Sequence, residues 1–523
     1  MRRYLPIEAN KNLIRNVNKR KMIKLKKYGI LMLLLGVFGT SLAQTGQHKQ
    51  GDPEEKYRPL YHFTPQQGWM NDPNGLVYLD GNYHLFFQHN PEKPVWGPMH
   101  WGHAISKDLI HWDEQKIALY PDSLGTIFSG SAVIDKDNTA GFGKGAMVAI
   151  FTHHNHQEED RKTGLHQNQS LAYSLDKGLT WTKYKGNPVL PNPGIWDFRD
   201  PKVMWHVHSQ RWIMTLATKD CITFYSSKDL KTWQKESEFG KEVGAHGGVW
   251  ECPDLIPMDY KGATKWVLLV SINPGGPNGG SVTQYFVGDF DGHQFRTADT
   301  KIKWLDWGPD NYAGVTWSNL GDRHLMIGWM SNWQYANVVP TTKWRSSSTI
   351  PRVLTLGKVG QSFYVASTVP KEIETAFRPL KKYHGGGTKE VSFEQHLPQA
   401  YRLDLKDLKQ QAFKVILSNE SGDELVIGYR EDQNAYYIDR SKSGEVSFNG
   451  EFPKTALAQR LLNKGALSFS LYADVSSVEL FADEGLTVMT SLFFPNRPIT
   501  KLRIVGDKKL EFKELSISRF NTQ

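Results

Sequence analysis

The segment Ser106-Lys107-Asp108-Leu109-Ile110-His111-Trp112 returns twice, as Ser174-Leu175-Asp176-Lys177-Gly178-Leu179-Thr180-Trp181 and as Ser227-Lys228-Asp229-Leu230-Lys231-Thr232-Trp233. Asp289-Phe290-Asp291-Gly292-His293-Gln294-Phe295 is a degenerate fourth copy. Ser and Asp at these offsets suit a tight turn, because their short side chains bond nearby backbone groups, and the Trp restarts the next strand. The tryptophans stand 69 and 52 residues apart. A period of that size, holding about four short strands, fits the blade of a β-propeller. Dividing residues 55–360 by a period of roughly 60 gives about five blades.

The residues between the repeats agree. Helical periodicity is hard to find after residue 50, whereas short runs such as Tyr83-His84-Leu85-Phe86-Phe87, Met147-Val148-Ala149-Ile150-Phe151 and Trp212-Ile213-Met214-Thr215-Leu216 are bounded by Gly, Pro, Asn and Asp. That pattern reads as all-β. A β-sandwich with long loops is the competing arrangement for this part. Near Lys381-Lys382-Tyr383-His384-Gly385-Gly386-Gly387 aromatics thin out and Lys, Glu and Ser rise. The reading is therefore a propeller over 55–365, a linker over 366–388, and a β-sandwich over 389–523, where alternation and hairpin chemistry recur.

Composition supports a folded chain, with 39% hydrophobic and 22% charged residues. The net charge of +9 would invite a nucleic-acid hypothesis, but residues 1–43 hold ten basic side chains and one acid, leaving 53 of each sign in the remaining 480 residues. A neutral body withdraws that hypothesis. Lys24, Lys26 and Lys27 precede an apolar core ending at Phe38, and Ser41-Leu42-Ala43 supplies small residues. This is the plan of a secretory signal peptide cleaved near Ala43. The core is shorter than the ~20 residues that span a bilayer. Residues 1–21 are long and polar for such a leader, so translation is expected to start at Met22. The mature chain is expected to be exported, periplasmic or secreted, with no membrane span. Its two cysteines, Cys221 and Cys252, read as free and buried rather than as a disulfide framework.

Three acidic clusters stand in aromatic and proline-rich settings: Trp69-Met70-Asn71-Asp72-Pro73-Asn74-Gly75, Phe198-Arg199-Asp200-Pro201-Lys202 and Trp250-Glu251-Cys252-Pro253-Asp254-Leu255. Each alone is ordinary turn chemistry. Their spacing puts them on different blades, whose inner strands converge on one axial pocket. None contains a His, so a metal cage is not the expected use. Glycosidic hydrolysis needs two carboxyl groups, one ionised and one protonated, and a third can orient sugar hydroxyls. The Trp beside two of the acids is expected to offer a sugar ring its flat face.

Together with Phe128-Ser129-Gly130-Ser131-Ala132, these motifs resemble those of glycoside hydrolase family 32, the β-fructofuranosidases that include invertases, levanases and inulinases. The resemblance spans about residues 55–520 in order, and implies a five-bladed β-propeller followed by a β-sandwich. It also implies Asp72 as nucleophile, Glu251 as general acid/base and Asp200 as transition-state stabiliser, in a retaining mechanism without cofactor. Asn71, Gln88, Trp96, Phe128, Ser129, Arg199 and Trp333 match the family's fructose-binding positions, and Cys252 would tune the acid beside it. The implied substrates are fructose-containing oligo- or polysaccharides such as levan and inulin, or sucrose, with end attack expected. A fructosyltransferase using the same covalent intermediate, an endo-acting fructanase and a non-catalytic sugar-binding propeller are the alternatives. Asn311, in Asp310-Asn311-Tyr312-Ala313, stands where the family commonly has an aromatic, which puts the leaving-group side in question.

Two further signals are expected to be structural. His153, His154 and His156, followed by Glu158, Glu159 and Asp160, read as an exposed polar loop rather than a metal site. The Gly-rich run Asn273 to Gly280 lacks the Lys of a phosphate loop and reads as a blade connection near the pocket rim.

Overall fold

The computed structural model describes residues 55–393 and 397–521. The leader expected in residues 1–43 lies outside the described residues. Five antiparallel sheets of four principal strands follow one another. The blades begin with Gly68–Leu79, Thr126–Asp135, Phe198–His206, Val249–Tyr260 and Tyr312–Thr316. Each of these first strands packs against the first strand of the next blade, and the fifth against the first, so they ring a common axis. Trp344–Arg345, which follows the second strand of the last blade, pairs in parallel with Gly68 and Trp69. This joins the ends of the ring.

The recurring turn lies between the third and fourth strand in each of the first three blades, and the degenerate copy does so in the fourth. In the first copy Ser106 Oγ accepts from Asp108 and Leu109 N–H (3.1 and 2.8 Å), and Asp108 Oδ1 accepts from Ile110 and His111 N–H (3.0 and 2.8 Å). The indole N–H of Trp112, Trp181 and Trp233 donates back to the carbonyl three residues earlier. That carbonyl belongs to a residue in the left-handed region in every copy (Leu109, Gly178, Leu230). The Ser and Asp side chains replace backbone partners lost at the turn, which is why the same residues recur at the same place.

Past the fifth blade come two six-stranded sheets that face each other as a sandwich, around a core that includes Leu403, Val415, Leu425, Leu471 and Ile504. The segment 366–388, expected to be a linker, is mostly ordered secondary structure. It holds the end of Ser362–Thr368, a short helix Lys371–Glu374 and the strand Phe377–Gly386, which pairs with Glu511–Phe520. The lysines and glycines that suggested a linker lie on an exposed edge strand, where charge discourages pairing with other chains.

Buried ion pairs fasten sandwich to propeller. Arg352, in the fifth blade, reaches Asp306 Oδ2 (2.8 Å) and Glu479 Oε2 (2.6 Å). Glu479 Oε1 and Asp474 Oδ2 in turn receive the two ring nitrogens of His62, ahead of the first blade (2.9 and 2.8 Å). Burial works against the charge on His62, but the two carboxylates outweigh it and carry its pKa to about 9. Arg440 bonds Asp310 (2.5 Å) and Tyr335 (2.8 Å) beside the same interface.

Candidate active site

Every innermost strand breaks register near its start, and Gly68–Leu79 does so a second time after Asn74. The skipped residues are Asn71 and Asp72, Phe128 and Ser129, Asp200 and Pro201, Cys252 and Pro253, and Ala313 and Gly314. A Pro or Gly lies within or just after each break (Pro73, Gly130, Pro201, Pro253, Gly314). Such bulges turn neighbouring side chains out of strict alternation and re-aim them. Asp200, Cys252 and Ala313 take positive φ (64°, 45° and 54°) at these breaks. Bulged residues of the first three blades, Asn71, Asp72, Phe128, Ser129 and Asp200, line a cavity of about 310 Å³, and Glu251 joins them from beside the fourth break.

All ten residues singled out from the sequence line this cavity: Asn71, Asp72, Gln88, Trp96, Phe128, Ser129, Arg199, Asp200, Glu251 and Trp333. Asp72 Oδ2 accepts from Ser129 Oγ (2.6 Å), and its Oδ1 from Asn71 Nδ2 (3.0 Å), whose own Oδ1 is held by the Trp69 indole (2.7 Å). Asp200 Oδ2 accepts the Cys252 N–H (3.1 Å). Glu251 is gripped on both oxygens, Oε1 by Arg199 Nη2 (2.9 Å) and Oε2 by the Tyr312 hydroxyl. Asp197 anchors the far side of the Arg199 guanidinium (2.6 Å). Gln88 donates to Asn74 (2.7 Å), and Trp333 stacks on Trp69 beneath it.

Burial, and then the charge of Glu251, raise the pKa of Asp72, while bonds from Ser129, Asn71 and Cys252 restrain it. Burial also dominates at Asp200, where Arg199 opposes the rise and Glu251 and Asp72 add to it, reaching about 7. Burial pushes the Cys252 thiol up, so it stays neutral, 3.5 Å from Asp72 and 3.7 Å from Asp200. The raised value at Asp200 has a measurable consequence. Between the ordinary carboxylate value of 3.8 and about 7 the unfolded chain ionises this group more readily than the folded one, so folding loses stability across that window. Asp200→Asn removes the loss. Its melting temperature is expected to exceed that of the parent by on the order of 2–4 °C at pH 7–8, with the gap closing as pH falls toward about 4. A gap that stays constant with pH, in melts followed by circular dichroism, would refute this.

Three expectations need correction. Trp69 and Trp250, next to the acids, do not line the cavity; both are fully buried, and Trp250 donates to Ala245 (2.9 Å) in another core cluster. Trp96, Trp196 and Trp333 supply the aromatic lining instead. Asn311 does not set the leaving-group side either, since it is buried against Asp306 (3.1 Å) while Tyr312, one residue later, reaches Glu251. His153 and His154 are no exposed loop: they end the strand Ala146–His154 and are buried, and His156–Asp160 is a short helix at the mouth. Asp254 of the third motif, to which the sequence reading gives no role, lines a second cavity of about 340 Å³ and pairs there with Lys202 (3.2 Å).

His154 Nε2, His156 Nδ1 and Glu159 Oε2 lie 3.0–3.4 Å apart. Those separations match the edge of a tetrahedral zinc site, about 3.3 Å for ligands ~2.0 Å from the ion. Gln167 decides against a metal here. Its Oε1 accepts the Phe198 N–H (2.8 Å), which turns its Nε2 toward His154 Nδ1 (3.3 Å). An acceptor at Nδ1 leaves the neutral ring's proton on Nε2, where a metal would have to bind. The trio is a hydrogen-bonded brace, with His154 stacked face to face on Phe128 (4.1 Å, 7°).

The sequence reading missed six residues of the lining: His154, Glu159, His166, Gln167, Trp196 and Asp197. Trp196 and Asp197 stand directly before the second motif, His154 and Glu159 belong to the cluster read as an exposed loop, and His166 and Gln167 carry no signal beyond polarity.

The Glycosyl hydrolases family 32 N-terminal domain matches residues 62–367, and the family 32 C-terminal domain matches 369–519. A levanase of Bacillus subtilis is 44% identical, covering 95% of this chain and 75% of its own length. The crystal structure of exo-inulinase from Aspergillus awamori superposes with a TM-score of 0.82 at 36% identity, covering 89% of this chain and 99% of that one. A β-fructofuranosidase from Schwanniomyces occidentalis complexed with fructosyl-erythritol does so at 0.80 and 34%, covering 90% and 99%. With both domain models in order across the described residues, the chain belongs to glycosyl hydrolases family 32.

Proposed function

We propose that this protein is a retaining, exo-acting β-fructosidase that releases terminal fructose from fructans such as levan or inulin, and from sucrose. The observation that carries the reading is one cavity in which Asp72 and Glu251 are each fixed by dedicated donors, with Asp200 beside Asp72 through their shared contacts to Cys252. Asp72 is the nucleophile that attacks the anomeric carbon of fructose, and Ser129 and Asn71 hold its carboxylate for that role. Glu251 gives its proton to the departing oxygen; Arg199 stabilises the carboxylate left behind. Glu251 then takes a proton from the water that releases the sugar. Asp200 binds fructose hydroxyls, with Gln88, Phe128, Trp96 and Trp333 around the ring.

The cavity is at the small end of ligand sites, which suits a chain end better than a run of units. The relatives are named levanase, exo-inulinase and β-fructofuranosidase, and one is described as extracellular, which supports export of this chain as well. Among the described residues no helix is long and apolar enough to cross a membrane. Incubation with levan, inulin and sucrose tests the proposal: fructose is the expected sole small product from the polymers, appearing first as the β-anomer. A ladder of oligosaccharides would overturn end attack, chain lengthening would favour transfer, and initial α-fructose would overturn retention.

A further inference from the structure

Three of the innermost strands give their early residues to the catalytic cavity and their later ones to the second cavity of about 340 Å³, which the fifth strand also reaches at Thr316. Between the two levels Ser131 links the second blade to the third, donating to the Pro201 carbonyl (2.9 Å) and accepting the Val203 N–H (3.0 Å). The second cavity has apolar walls, among them Val133, Val203, Ile256 and Leu320, yet polar groups inside it are left without partners. Asp254 has a side chain only 2% exposed. Its Oδ2 takes the Thr316 N–H and hydroxyl (both 2.7 Å) and Lys202, whereas among the described residues no hydrogen bond reaches its Oδ1. The half-buried His324 ring has no hydrogen bond among them either. Burial lowers its pKa against the pull of Asp254 and Asp322, so it is neutral at neutral pH and offers one donor and one acceptor. Trp205 packs edge-on against Trp212 (5.0 Å), and its indole N–H meets no acceptor among the described residues. Trp212 and Trp317, in the same lining, donate theirs to Thr139 (2.8 Å) and to the His84 carbonyl (2.9 Å).

Charge selects the ligand. Lys202 answers Asp254, the Thr139 and Ala140 N–H groups hold Asp135 (2.8 Å each), Arg323 forks onto Glu372 (2.6 and 2.9 Å), and Lys136 and Asp137 stand side by side. An ion therefore finds no uncompensated charge here. A molecule with hydroxyls and C–H faces finds both of its complements, because a carboxylate oxygen, an imidazole and an indole N–H bond the hydroxyls while the apolar walls cover the rest. We propose that this cavity is a second, non-catalytic sugar site that takes a neutral, fructose-containing saccharide. The ligand class comes from the cavity itself; fructose as its unit rests on the fructosidase reading. Asp254 Oδ1 accepts from one hydroxyl, His324 bonds a second, and Trp205 gives its N–H to a third. The volume is close to that of the catalytic cavity, which suits a ligand of the same size, either the released sugar or the end unit of a chain. A chain end held here ties polymer to the enzyme at a point away from the acids.

Fluorine NMR on the full chain labelled with 5-fluorotryptophan tests this, in an Asp72→Asn background that prevents turnover. The Trp205 signal is assigned by its loss in Trp205→Phe, and fructose, a fructan oligosaccharide and inorganic phosphate are titrated separately. The Trp205 signal is expected to move saturably with a sugar and not with phosphate. His324→Ala should raise the dissociation constant read at Trp205 by about fivefold, the loss of one hydrogen bond, and leave that read at Trp333 unchanged. Movement with fructose assigns the released sugar, and movement with the oligosaccharide alone assigns the chain end. In the otherwise unaltered enzyme Trp205→Phe should leave kcat and KM on sucrose unchanged. A Trp205 signal that stays still with both sugars, that answers to phosphate, or that follows Trp333 with one shared constant insensitive to His324→Ala overturns the second site. None of these results touches the fructosidase reading, which fails separately if the parent releases no fructose.

Discussion

Asp72→Asn is expected to lower kcat on sucrose or a fructan by on the order of 10⁵-fold while the protein remains folded, because a covalent nucleophile has no substitute in the mechanism. An amide oxygen cannot form the glycosyl ester, and the intermediate disappears with it. The fold should tolerate the change. Asn keeps an acceptor for one of the two donors, Ser129 and Asn71, and removes a carboxylate whose ionisation burial already disfavours. The melting temperature should therefore stay level or rise slightly. Residual turnover above about 1% of the parent, in a preparation free of parent enzyme, would remove Asp72 from the nucleophile role.

The largest loss of stability is expected at a residue far from the chemistry. Arg352 is fully buried and forks between Asp306 and Glu479, donating to Thr490 as well (2.6 Å). Arg352→Met leaves two buried carboxylates short of their partner. Breaking a buried pair in this way costs about 3–5 kcal/mol. Arg352→Lys keeps the charge but reaches one acid rather than two, so it should lose less. Denaturant titration ranks the three proteins. A Met variant as stable as the parent would mean that packing, not the ion network, holds the sandwich to the propeller.

The propeller was legible because the first three blades place the same Ser, Asp and Trp on the same turn, and a local solution repeated is easy to see in sequence. The three acids of the candidate site were legible for a related reason: a bulge is one of the few places in a sheet that accepts Pro, and Asp72, Asp200 and Glu251 come with Pro73, Pro201 and Pro253 one or two residues on. What failed was the assumption that neighbours in sequence share a face. Trp250 precedes Glu251 on a strand, so alternation sends it to the other side, and Asn311 and Tyr312 divide in the same way. His154 and Glu159 stayed hidden because their polarity suggested solvent. Burial of His154 depends on Phe128 and Gln167, which approach from elsewhere in the fold.

His62 is held by Asp474 and Glu479, 412 and 417 residues later in the chain, and Glu479 also takes Arg352 of the last blade. One carboxylate from the sandwich thus acts as a clasp between the two ends of a ring. The strand pairing of Gly68 and Trp69 with Trp344 and Arg345 closes the ring from within the propeller, and this clasp locks the same seam from outside. The two ends of a long chain are thus held twice, once by backbone and once by charge.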